Sequence, residues 1–145
     1  MSASSNYTED KTLDFWLKAN SASTSAPGTV HVALFNQTDS AGAIGQGGVL
    51  DRLEAGTITD ECTGGGYARQ SVTFGTISGG SVSNSGNVTF PAATDGDWGT
   101  ITRVAVMDAS TSGNVLFYGA LSAAKTIDSG DTFQITTGNL TVSLA

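Results

Sequence analysis

Three glycines followed by an aromatic, a small residue, a cation and an amide, Gly64 to Gln70, form the first stretch whose residue types and spacing suggest chemistry. A loop that cradles phosphate on backbone N–H groups needs Gly-x4-Gly-Lys-Ser/Thr between a strand and a helix. Here no lysine follows, and the next residues alternate like a strand. The run GAIGQGG at 42–48 is expected to fail on context too, with no strand before it and no helix after it. The triple glycine is therefore expected to serve structure, giving positive φ angles and a close backbone approach before a strand.

The remaining candidates are few. His31 is the one histidine and sits between Val30 and Val32 in a strand-like run, so a triad or multi-histidine metal site would have to rest on it alone. Cys62 is the one cysteine, and its neighbours Asp60 and Glu61 would raise a thiol pKa rather than activate it. The acidic pairs Asp60-Glu61 and Asp128/Asp131 are too close in sequence to act as opposed catalytic carboxylates. Asp95-Gly96-Asp97 has the spacing of hard-cation loops but lacks the remaining ligands. No catalytic residue, metal or cofactor is expected.

The elements that would position these residues follow from composition. Charged residues make up 13% of the 145, glycine accounts for 19, and Ser and Thr together form about a quarter of the chain. Strand and turn formers dominate, and surface-helix formers are scarce. At formal net charge −7, with six Lys and Arg residues spread singly, neither direct nucleic-acid binding nor attraction to an anionic membrane is expected. The opening MSASSNYTED has no basic region and no apolar core, so no signal peptide is expected.

Residues 1–8 are expected to form a flexible polar arm, and 9–145 one β-sandwich domain. Asn6 to Glu9 reads as a capping box with Asn6 as the cap, placing the only substantial helix near 9–19. Its stripe is Leu13, Trp16 and Leu17. Residues 36–66 lack a sustained period and read as a long loop excursion, with one short strand near 56–59. Strand runs then recur with turns between them: 67–74, with Tyr67 and Arg69 opposite Val72 and Phe74; two around the turn at 84–87; then 100–109, 115–121, 125–127, 132–136 and 140–145. Thr102, Val104 and Val106 are expected opposite Ile101, Arg103, Ala105 and Met107. About eight or nine strands point to an all-β, antiparallel sandwich or jelly roll with one short N-terminal helix.

Three pieces, Gly64–Gln70, Asp97–Thr102 and Tyr118–Lys125, stand within a pattern from Asn6 to Leu144 that resembles a family of small tailed-phage virion proteins, often labelled tail fibre proteins. Residues 36–62 depart from it, being longer and richer in glycine. The resemblance implies a non-enzymatic virion structural protein, assembled in the bacterial host cytoplasm. Size and the absence of repeats favour a capsid cement protein, clamping major capsid subunits and partnering copies of itself as a homotrimer. The alternatives are a tail fibre or baseplate component contacting the host, and a carbohydrate-binding sandwich module that stacks sugars on Trp98 and Tyr67. Tyr7, Trp16, Arg52, Arg69, Trp98 and Arg103 are the expected interface residues.

Overall fold

The alternating apolar run after Pro27-Gly28 forms strand β2 (Val30–Phe35), whose last four residues are buried. In the computed structural model, which describes residues 3–18, 26–37 and 47–144, β2 lies near the middle of a five-stranded antiparallel sheet. The other members are β1 (Ala3–Ser4), β3 (Gln70–Val72), β6 (Gly99–Met107) and β7 (Val115–Ile127), in the order β1-β7-β6-β2-β3. Two smaller ladders pair β4 (Ser81–Ser83) with β9 (Thr141–Ser143), and β5 (Val88–Thr89) with β8 (Gln134–Ile135). The nine described strands make an all-β sandwich-like domain, as the composition predicts.

Both faces of the large sheet are buried. Val32, Leu34, Val104 and Val106 pack with Val88, Phe90, Phe133, Ile135 and Val142 from the small ladders and their flanks. On the opposite face Ala33, Phe35, Ala105 and Met107 pack against Val49, Leu50 and Leu53. Those three residues belong to helix α2 (Val49–Glu54), which forms inside the expected loop excursion. A helix therefore does follow the glycine run at 42–48. At six residues it is too short to show a period by itself, and burial against the sheet is what stabilises it. No strand forms at 56–59; instead Glu61 bridges to Phe35, and the Cys62 N–H donates to the Leu34 carbonyl at 2.8 Å.

Ile101 joins the face of Val104 and Val106 rather than that of Ala105. The pairing register shifts at the same place: Ile101 pairs with Lys125 but Arg103 with Ala120, so β7 bulges over Leu121–Ala124. This bulge also fuses the expected runs at 115–121 and 125–127 into one strand of 13 residues.

At the N-terminus, Ala3 and Ser4 of the expected arm pair with Tyr118 and Phe117 in the sheet, and its residues from Asn6 onward open a helix. Helix α1 spans Asn6–Leu17 and is capped by Ser5, one residue earlier than expected. Ser5 is buried because its hydroxyl donates to the Val115 carbonyl and accepts from the Thr8 N–H, while its own N–H bonds the Leu116 carbonyl. The expected helix end at Ala19, residues 1–2 of the arm and 38–46 of the excursion lie outside the described residues. Among the described residues, no helix is long and apolar enough to cross a membrane.

Asn84 joins the two ladders from a buried position. Its Nδ2 donates to the carbonyls of Gly86 at 2.7 Å and Thr136 at 3.1 Å, and its Oδ1 accepts from the Leu140 N–H at 2.9 Å. Asn84→Ala leaves those backbone groups unpaired and is expected to cost at least ~2 kcal/mol. In a chain of this size that lowers Tm by roughly 5–10 °C in a calorimetric scan.

Candidate functional site

The glycine run lies beneath Trp98. A side chain on Gly64 would meet the Trp98 indole, and one on Gly65 the Thr94 carbonyl. The indole N–H donates to the Gly65 carbonyl at 2.8 Å, and Gly66 adopts a φ of +78°. The close approach expected of these glycines is therefore made to a core aromatic. Trp98 is 1% exposed, and Tyr67 makes an edge contact with it and stacks on Phe90. The expected sugar platform of Trp98 and Tyr67 is thus inside the domain, which removes the surface that reading required.

Tyr67 and Arg69 precede β3 rather than belong to it, so the strand alternation assigned to them does not apply. Tyr67 joins the same core cluster as Val72 and Phe74. Its hydroxyl donates to Glu61 Oε1 at 2.8 Å and accepts from the Leu34 N–H at 2.9 Å. Arg69, with a side chain 3% exposed, grips Glu61 at both carboxylate oxygens, 2.8 and 2.7 Å away. Its Nη1 donates to the carbonyls of Ala109 at 2.9 Å and Ser112 at 2.7 Å, which fixes the turn between β6 and β7. The hydrogen bonds that Arg69 donates to Glu61 raise its pKa, so the guanidinium stays charged. Burial, then the Glu61 charge, pushes the Tyr67 hydroxyl far above its ordinary range. Arg69 and Trp98, both expected at an interface, are instead used within the core.

Burial is also the main cause of the raised Cys62 pKa, with the Glu61 charge a lesser one, so a thiolate nucleophile is disfavoured. His31 is half-buried on β2 opposite Met107 and Ser71, and its Nδ1 has no hydrogen-bond partner. Asp97 accepts the Ser129 N–H at 2.7 Å, and Asp131 accepts the Asp128 N–H at 3.2 Å, so both act in turns. Among the described residues, no group of three or more His, Cys, Asp or Glu is placed to hold a metal ion. Arg52 of α2 pairs with Asp60 and donates to the Gly47 carbonyl at 2.8 Å, and Arg103 donates to the Thr102 carbonyl at 3.1 Å.

What remains unspent lies on α1. No residue of this helix is buried, and its apolar side chains face outward: Leu13 is 55% exposed, Phe15 52%, Trp16 76% and Leu17 76%. The stripe Leu13, Trp16 and Leu17 was legible in the sequence, and the domain leaves it exposed. Tyr7, Phe15 and Trp16 line a cleft of about 470 Å³ with Pro27, Asp108 and Leu116. A groove of about 490 Å³ adjoins it, lined by Val30, Phe74, Ile77, Val82, Phe117 and Val142. Of the expected interface residues, Tyr7 and Trp16 lie on this side. Ile77, 74% exposed, had no signal in the sequence beyond being one apolar residue in a Gly/Ser/Thr-rich turn.

The family model Gp80, described as Podophage GP4 fiber I protein gp80, matches residues 3–143. The chain belongs to this family. It is accordingly a phage structural protein of a fibre family, and the match runs from β1 through β9, so α1 and its apolar face lie within the matched region. No curated protein matches the chain.

Two outcomes are expected from the buried polar groups of this Gp80 member. Glu61→Gln strips the countercharge from Arg69 and is expected to cost about 3–5 kcal/mol in urea unfolding. Burial also raises Tyr118, to about 12. An unfolded tyrosine ionises near pH ~10, so between about pH 10 and 12 the native state holds a proton that the unfolded state has lost. This stabilisation is complete below pH ~10 and declines above it. The urea midpoint should therefore fall through that window, and fall less in Tyr118→Phe.

Proposed function

We propose that this chain is a non-enzymatic component of a tail fibre in a podophage virion, rather than a cement protein of the capsid lattice. The observation that carries this reading is the Gp80 fibre-family match over nearly the whole chain. The use of the chemistry-bearing residues inside the fold supports it: Arg69, Glu61 and Tyr67 hold one another, and Cys62 is buried. Small size and the absence of repeats, which favoured cement, are equally compatible with a fibre subunit whose shaft is built by other chains. The partner in this reading is another component of the virion, met through the exposed side of α1.

Quantitative mass spectrometry of purified virions tests the placement. A fibre component is expected at a few per cent of the copies of the major capsid protein. A ratio near one to one would overturn the fibre reading and restore the capsid lattice.

A further inference from the structure

Asp95-Gly96 is the one place in the sequence where an aspartate or an asparagine precedes glycine. The pair forms the bend before β6, with both residues exposed and both at positive φ, +56° and +125°. The chain is tied down on each side of them. Before the pair, the Ala93 N–H donates to the Asp131 carbonyl at 2.8 Å and the Thr94 N–H to the Gly65 carbonyl at 2.9 Å. After it, Asp97 accepts the Ser129 N–H at 2.7 Å, and the Trp98 N–H donates to the Ile127 carbonyl at 2.9 Å. Between these anchors the Gly96 N–H and the Asp95 carboxylate have no hydrogen-bond partner among the described residues. A side chain at Gly96 would meet no atom within 4 Å, so the bend stands clear of the rest of the domain.

An aspartate carboxyl carbon and the amide nitrogen of the next residue close a five-membered ring when nothing shields or holds that nitrogen. Gly96 has no side chain to shield it, and no hydrogen bond holds its proton. We infer that Asp95 is a site of spontaneous backbone isomerisation. The Gly96 nitrogen gives its proton to water and bonds Asp95 Cγ, while the protonated carboxyl loses its hydroxyl as water, leaving a succinimide. Water then adds to either ring carbonyl. Cleavage between nitrogen and Cγ restores aspartate. Cleavage between nitrogen and the main-chain carbonyl carbon routes the chain through Cβ and Cγ and frees the former main-chain carbon as the carboxylate. Nothing is oxidised or reduced, the net charge is unchanged, and only solvent water takes part. Neighbouring aspartates lack these conditions: Asp97 is held by Ser129 and precedes Trp98, and Asp108 is held by the Asn114 N–H and side-chain amide, each at 2.7 Å. Isomerisation adds one methylene to the main chain between Thr94 and Asp97, which are both fixed. The strain falls on the Gly65 carbonyl, which receives the Thr94 N–H and the Trp98 indole N–H together. In a virion, where no synthesis renews the chain, the change accumulates with age. The site itself does not depend on where the protein sits in the particle.

Ageing the purified full chain at neutral pH in heavy-oxygen water, followed by digestion and mass spectrometry, tests the inference. Each ring opening leaves one heavy oxygen on residue 95. Label should enter Asp95 at least ~10-fold faster than Asp97 or Asp108, because glycine leaves the attacking nitrogen unshielded. The labelled peptide should also split into two forms of equal mass, one of them resistant to a protease that cuts at aspartate. Asp95→Gly suits the positive φ and removes the carboxyl, so it should keep a folded circular dichroism spectrum and take up no label at residue 95. The isomerised fraction should melt a few degrees below the unmodified one, as the loss of one anchoring hydrogen bond requires. Equal labelling of Asp95, Asp97 and Asp108 would overturn the inference. Labelling of Asp95 only in urea-unfolded chain would overturn it equally, since the folded bend would then block ring closure.

Discussion

The structure depends on one constraint: strands β2, β6 and β7 are apolar on both faces, so neither face of their sheet can be left in water. One side is met by the two small ladders, which bring Val88, Phe90, Phe133, Ile135 and Val142 onto Val32, Leu34, Val104 and Val106. The other is met by α2, which the chain forms from an otherwise irregular segment because Val49, Leu50 and Leu53 can reach Phe35 and Met107. Both sides are covered without α1. That is why the most apolar stretch of the N-terminal region is left on the outside.

The polar residues that suggest chemistry answer to the same constraint. Burial is costly for an arginine and a carboxylate unless each satisfies the other, and Arg69 and Glu61 do so with two hydrogen bonds while Tyr67 and two turn carbonyls take up the rest. The glycines ahead of them let the backbone pass under Trp98, so the stretch Gly64 to Gln70 is a structural joint. It ties the segment before β3 to β2 and to the turn between β6 and β7. With these groups committed to the interior, the large apolar side chains left exposed lie mainly on α1, with Ile77 at the adjoining groove.

Much of the fold was legible because period-two alternation and regular turns are strong local signals, as at Val30–Phe35 and Thr141–Ser143. Failures occurred where tertiary contact overrode local pattern. Helix α2 has no readable period at six residues. Ile101 joins the face of Val104 and Val106 where the register with β7 shifts, and no alternation within β6 announces either. Tyr67 and Arg69 looked like strand residues because they precede one. In the candidate site, Trp16 and Tyr7 were readable as large aromatics near a polar terminus. Trp98 was equally conspicuous, but sequence alone does not distinguish an aromatic placed over glycines from one facing solvent. The α1 stripe was visible as a pattern, and only the packed sheet shows that the domain does not use it.

The central claim is that α1 is the assembly surface of an otherwise self-sufficient domain. Hydrogen exchange on this protein within intact virions and on the isolated chain at low concentration, read at residues 6–17 and at β6 and β7, tests it most directly. The predicted result is α1 amides that exchange fast in the isolated chain and slow at least ~100-fold in the virion, while the sheet amides are slow in both. Equal α1 rates in the two states would contradict it, since the helix would then be uncovered even where the protein does its work.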